Sequence, residues 1–361
     1  MSALVKGTLE LLQSSTTTKA ADVALDLRLA TVNEATTALG TITLTNLNMP
    51  VVEQVLGYEP NLIGNWTGPT GTLGVELAPP PANMLYAVVL TPNTPQLEGR
   101  FDANVSESMM SLTGSADRFV LKEASATRLL GANDPASNAP PPLRVRGDVP
   151  LQLAIRTALV PRAMMRSETF DPSRVKIDAT VNGGPVTLLD PNDRETVIDM
   201  LDVAVTATDF ANTGVQYAIQ GTRKGKTTVK PLIDLNGRLT NLMAADSTLA
   251  LEDATSNFTA NVNQLPTILV DNIIGLDGLL RAAVGTSITA TMVADDFSRT
   301  SGKLTMDIDT PSSKLSAVVQ GRDRALIVND ANPLTAQLDL TPALRDRILK
   351  PIQPLLADIK S

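Results

Sequence analysis

Seven stretches of the chain alternate apolar and polar residues: VALDLRLATV (23–32), LGTITLTNLN (39–48), TGTLGVELA (70–78), RVKIDATVNG (174–183), LDVAVTATDF (201–210), SITATMVADD (287–296) and GKLTMDIDT (302–310). A period of two puts successive side chains on opposite faces, so each stretch reads as a strand with one face covered and one solvated. The pattern suits antiparallel sheet. Short Gly, Asn, Asp and Ser segments between the stretches are the turns that hairpins need.

A helical period is rare. The clearest helical stretch is LPTILVDNIIGLDGLLRAAVG (265–285), where Leu269 and Ile273 form an i, i+4 pair, Pro266 suits a first turn and Gly275 divides the segment. A second is expected over 341–361, opened by Thr341 and Pro342 and kinked at Pro351 and Pro354. The proline-rich segments 77–84 and 131–142 read as stiff exposed loops.

Two segments look alike: NLNMPVVEQVLG (46–57) and NVNQLPTILVDNIIG (261–275). Each joins a strand to a helical stretch at a proline, Pro50 or Pro266, and reaches a glycine, Gly57 or Gly275. Further pairs follow in the same order: 70–78 with 285–294, 99–121 with 302–328, and 142–161 with 333–351. Within the third pair Gly114, Asp117 and Arg118 recur as Gly321, Asp323 and Arg324, read as a hairpin turn. The expectation is two copies of one internal unit. The fold class expected is α+β, mostly β: curved antiparallel sheets with a few covering helices. Its parts are a first module (1–165), connecting strands (166–234) and a second module (235–361).

Composition narrows the chemistry. The 361 residues contain no cysteine and no histidine, which removes thiolate and imidazole metal sites, cysteine nucleophiles and Ser-His-Asp triads. Aromatics make up 3%, with Trp66 the single tryptophan, so the core is aliphatic and base-stacking platforms are scarce. A net charge of −8 argues against a nucleic-acid partner. The dense basic run TRKGKTTVK (222–230) reads as a solvated hairpin turn.

The remaining candidates have plain structural readings. DPNDRE (190–195) has carboxylates but lacks the glycine of a calcium loop, so it reads as a turn. Asp295 and Asp296 form another acidic pair. GPTGTLG (68–74) is no phosphate cradle, because it lacks the lysine and the following helix, and it reads as a β-turn. The pairs Met109–Met110 and Met164–Met165 read as core packing, with an adaptable groove for acyl chains as the alternative. No catalytic, cofactor-binding or metal-ligating residue and no cofactor is expected.

The run GTITLTNLNMPVVEQVLG (40–57) followed by GTLGVELAPP (71–80), with EGRFDANVSESMMSLTGSADRFVL (98–121), resembles AsmA-type and TamB proteins. The similarity covers both copies of the unit. Such proteins belong to the envelope of diderm bacteria and form long sheets whose apolar inner surface holds or conducts lipid. The resemblance implies a non-catalytic lipid-binding or lipid-transfer module in the periplasm or cell envelope, with acyl chains or phospholipid as partners. Membrane association would come through flanking parts, because no apolar run here reaches a spanning length and the start, MSALVKGTLELLQSS, is too polar for a signal peptide. The chain reads as a piece of a longer polypeptide. BPI-like (TULIP) modules, which wrap a sheet around a helix, are a second resemblance. A structural β-module without a small ligand is the competing function, and an enzyme using carboxylates, serines or lysines is the third.

Overall fold

The computed structural model describes residues 3–12, 19–32, 35–56, 63–130, 144–162, 174–189, 193, 195–224, 229–243, 254–267, 281, 285–298, 300–310, 313–322, 325–328 and 335–338. The fold is mostly β and antiparallel, as the alternation requires, with three short helices among the described residues. All seven alternating stretches are strands.

The chain divides into two compact units: 1–125 with 148–183 and 205–210, and 126–147 with 184–204 and 211–361. Each unit therefore draws on segments from both sides of the module boundaries expected from the repeat.

The first unit is an antiparallel meander. Its strands are β1 (Ala3–Leu12), β2 (Lys19–Val32), β3 (Ala35–Asn48), β4 (Thr70–Ala78), β5 (Tyr86–Asn93), β6 (Leu97–Val105) and β7 (Met109–Leu121). Each pairs with the next. After β8 (Arg144–Arg146), which lies elsewhere, β9 (Val149–Pro161) pairs with β7, and β10 (Lys176–Gly183) pairs with β9. Helix α1 (Met49–Leu56) follows β3 without a linker, and α2 (Gly64–Thr67) leads into β4. Helix α3 (Glu123–Leu130) follows β7.

The second unit holds a small sheet in which β11 (Val186–Leu189) pairs with β8 and with β12 (Glu195–Ile198). Strand β13 (Met200–Asp209) is divided, with 200–204 in the second unit and 205–209 in the first, and precedes the second unit's larger meander. There β14 (Gly214–Lys224), β15 (Val229–Thr240), β16 (Thr255–Pro266), β17 (Ser287–Phe297), β18 (Lys303–Thr310) and β19 (Ser313–Arg322) pair in sequence. Both β20 (Ala325–Val328) and β21 (Thr335–Leu338) pair with β19.

The corner at 46–57 is built by a bulge. Register slips between Leu44 and Leu47, and Asn46 takes the left-handed conformation at φ 52°, which asparagine tolerates better than most residues. The slip turns Leu47 and Met49 inward. They pack with Ala21 against Leu44, Val52, Ile63 and Leu73, so α1 closes that end of the sheet. The second corner follows the same device: register slips between Val262 and Leu265, Gln264 sits at φ 51°, and Leu265 and Thr267 are buried. In both corners the residue after the last strand pair still donates to the next strand: Met49 N–H to Pro69 O at 2.9 Å, and Thr267 N–H to Thr286 O at 3.1 Å.

These geometries match Asn46 with Gln264 and Met49 with Thr267. Pro266 is then the last residue of β16, paired with Ser287, and not a first helical residue. The proline-to-proline alignment is off by two residues. Beyond the corner the match fails on strand direction. Strand β6 is third after the corner strand β3, whereas β18, aligned with it, is second after β16. In an antiparallel meander an odd offset reverses the strand direction.

Two smaller expectations are also corrected. Gly114, Asp117 and Arg118 lie inside β7, where a bulge between Ala116 and Phe119 lets Arg118 donate to Thr94 O at 2.9 Å, so they form no hairpin turn. In the second copy the hairpin reading holds: Gly321 of β19 pairs with Leu326 and Arg322 with Ala325 of β20, while Asp323 and Arg324 themselves fall outside the described residues. GPTGTLG is no β-turn: Gly68 caps α2 at φ 94°, and β4 begins at Thr70. The helical stretch 341–361, the loop 131–142, Met164, Met165, Gly57, Leu269, Ile273 and Gly275 also lie outside the described residues.

Candidate functional site

The pairing register assembles the apolar positions of successive strands into continuous cross-strand rows. In the first unit one row runs Leu25, Ile42, Val75, Leu90, Phe101, Gly114, Ile155 and Ala179. The next row toward the other end runs Leu27, Gly40, Leu77, Val88, Ala103, Leu112, Ala158 and Ile177. The opposite face carries Asp26, Thr41, Glu76, Asp102 and Thr113 in its corresponding row, with Val89 the apolar exception. The alternation read along single strands is therefore one apolar face eight strands wide.

Gly114 lets the row close up. A Cβ there would lie 2.3 Å from Arg100 O and 2.7 Å from Phe101 Cα, and its φ of 151° disfavours side chains, so only glycine fits beneath the Phe101 ring.

The second unit has an equivalent face. One row there runs Ile219, Leu235, Ala260, Met292, Met306 and Ala317, and the next runs Ile233, Val262, Ala290, Ile308 and Leu315. Alanines at 260, 290 and 317 sit among larger aliphatic side chains in these rows.

These faces are incompletely covered. Leu25, Leu27, Ile42, Val75, Leu77, Val88, Leu90 and Leu112 are only half-buried, and Leu29, at the strand end of the same face, is 39% exposed. Full burial in the first unit concentrates at the end closed by α1, where Leu47 is 3% exposed. A sheet face this wide, capped at one end, leaves apolar area in contact with water.

The closed end is polar in its fastenings. Glu53 of α1 is fully buried and accepts the N–H groups of Ile63 at 2.6 Å and Gly64 at 2.7 Å, satisfying donors at the start of α2. Gln96 donates to Asn65 O at 3.0 Å, and Trp66 stacks on Phe119 with ring centroids 6.3 Å apart. Outside the cap, Asp22 is held below the usual carboxylate range by Lys19 first and by Asn46 second, the asparagine of the bulge. Asp148 is likewise lowered, chiefly by Lys122 and then by the Glu123 N–H at the start of α3.

The acidic candidates do not converge on a reactive centre. Asp295 faces Lys303 at 3.4 Å, and Asp296 exchanges two hydrogen bonds with Asn257, at 2.7 and 2.8 Å, across β16 and β17. In DPNDRE, Asp193 pairs with Arg144 and Glu195 with Arg146 beside the small sheet. Among the described residues no group of three or more acids could hold a metal ion. One surface hollow is lined by Asp26, Arg28, Thr41 and Glu76 together with Gly40 and Leu77 of the apolar row, and another by Asp295, Lys303 and Arg322. Residues 222–224 pair with 229–231, a hairpin across the basic run. Met109 and Met110 open β7 and are half-buried.

No helix among the described residues is long and apolar enough to cross a membrane. No protein-family model, curated protein or solved structure significantly matches the chain. The faces themselves were implied by the alternation, but which residues share a row depends on register. Sequence reasoning therefore missed Gly114 and Glu53 as builders of the face and its cap.

Proposed function

We propose that this chain is a non-catalytic lipid-binding or lipid-transfer module of a bacterial cell envelope protein, holding acyl chains against its apolar sheet faces. The observation that carries this reading is the pair of unbroken apolar rows in the first unit, eight strands wide and, apart from the buried Phe101 and Ala103, only half-buried. Water contact at such a surface is unfavourable, and each methylene moved onto it from water contributes about 0.8 kcal/mol. A long acyl chain matches the face in chemistry, because it needs no hydrogen-bond partner and the rows present only apolar side chains and glycine. The envelope location rests on the resemblance to AsmA-type and TamB proteins.

Native mass spectrometry of the purified chain tests the reading. The expected result is co-purified phospholipid or fatty acid, displaced by added fatty acid. A protein that carries no lipid and takes up no fluorescent fatty acid would overturn it and leave a structural β-module.

A further inference from the structure

We infer that the rim of the first unit opposite α1 docks the protein on a bilayer surface bearing anionic headgroups. This inference rests on the acyl-chain reading of the adjoining face. The strands of this unit end on one side beneath α1 and on the other at a rim that no described helix covers. At that rim Leu29 is 39% exposed, Leu85 40% and Tyr86 54%. They are held in place by the sheet: Leu29 pairs with Ala38, Tyr86 pairs with Val105, and Leu85 donates to Val105 O at 2.7 Å. Three prolines, Pro79 to Pro81, stiffen the approach to Leu85.

The chemistry of this edge suits a membrane interface. Leucine side chains on a fixed edge can enter the acyl boundary, and a tyrosine places its ring there with its hydroxyl in the headgroup layer. Charge favours anionic lipid. Arg162, Arg174 and Lys176 lie at the same strand ends, beside the last residues of β9 and the first of β10. Described acids near this rim are Glu107 and, at the end of β13, Asp209, while Asp178 faces Arg156 at 3.7 Å. The whole chain carries −8, so an anionic surface repels it in general, and the basic residues of this edge offset that repulsion locally. The rim is also continuous with the apolar face, since Tyr86, Val105, Met110 and Val160 form the row next to it. An acyl chain leaving the bilayer there would meet the face without crossing water.

Flotation of the full chain with phosphatidylcholine vesicles, with and without phosphatidylglycerol, tests the inference. Binding is expected to require phosphatidylglycerol and to fall at least about tenfold in the Leu85→Glu, Tyr86→Glu double variant. A second readout does not depend on that variant folding. Tyr86→Trp in a Trp66→Phe background is expected to be quenched by brominated acyl chains, while the native Trp66, at the closed end, is not. Equal flotation of the double variant, or equal quenching at positions 66 and 86, would overturn the inference. Lipid capture from detergent micelles, read by native mass spectrometry, separates the two ideas. Rim-dependent flotation without captured lipid would uphold docking and sink the acyl-chain reading alone.

Discussion

The buried carboxylate of Glu53 accepts the backbone N–H of Ile63 at 2.6 Å and so ties α1 to the segment that opens α2. The same oxygen also takes the Gly64 N–H at 2.7 Å. A buried donor left without an acceptor costs about 1–3 kcal/mol, so Glu53→Ala is expected to lower stability by roughly 2–5 kcal/mol. Glu53→Gln keeps an acceptor oxygen and is expected to lose less. Urea denaturation midpoints of the two variants check this; equal losses would show that the acceptor is not what matters.

Gly114 has no room for a side chain under Phe101. Gly114→Ala is expected to destabilise by more than about 1 kcal/mol, because the native φ of 151° is strained for alanine and its Cβ would meet Arg100 O. Ser111→Ala, in the same strand, is the control and is expected to stay within about 0.5 kcal/mol of the parent. A thermal midpoint unchanged by Gly114→Ala would contradict the close approach.

The open face makes a prediction about uneven cost. Leu47, 3% exposed, sits in the cap cluster, whereas Leu90 is half-buried in the middle of the apolar row. Leu47→Ala is expected to cost about 2–5 kcal/mol, as a sealed core leucine does. Leu90→Ala is expected to cost about half as much, since less of its area leaves water on folding. Equal costs would mean that the face is as sealed as the cap.

Asp148 gives a pH signature. Lys122 at 2.6 Å, and then the Glu123 N–H at 3.2 Å, hold its carboxyl below the ordinary value of 3.8. A carboxylate lowered by folding stabilises the fold above its unfolded value, and that contribution is lost as pH falls through the folded value. The stability difference between the parent and Asp148→Asn is therefore expected to be constant above about pH 5 and to shrink toward zero below 3.8. Urea melts at a series of pH values measure it; a difference independent of pH would remove Asp148 from the acid limb.

The strands were legible because period-two alternation is local, and Thr70–Ala78 was read to the residue. The corner was legible through Pro50, but its mechanism, the bulge at Asn46, was not. The left-handed twist at Gln264 has no residue signature, since glutamine is not a usual left-handed residue, and Pro266 drew the helix start two residues too early. The Asp117–Arg118 pair looked like turn chemistry and is a bulge, because a bulge uses the same polar residues without ending the strand. The apolar face depended on register across β2 to β10, which no single stretch records. Glu53 carried no signal either: an acid on a short helix reads as solvated until the segment beneath it is placed.

The most direct test puts a photoreactive benzoyl-phenylalanine at Leu90 in one protein and at Thr91 in another. These neighbours point to opposite faces of β5, one toward the apolar row and one toward the polar side. After illumination in a phospholipid-containing extract, mass spectrometry is expected to find lipid adducts at position 90 and none at 91. Adducts at both positions, or at neither, would contradict an acyl-binding sheet face.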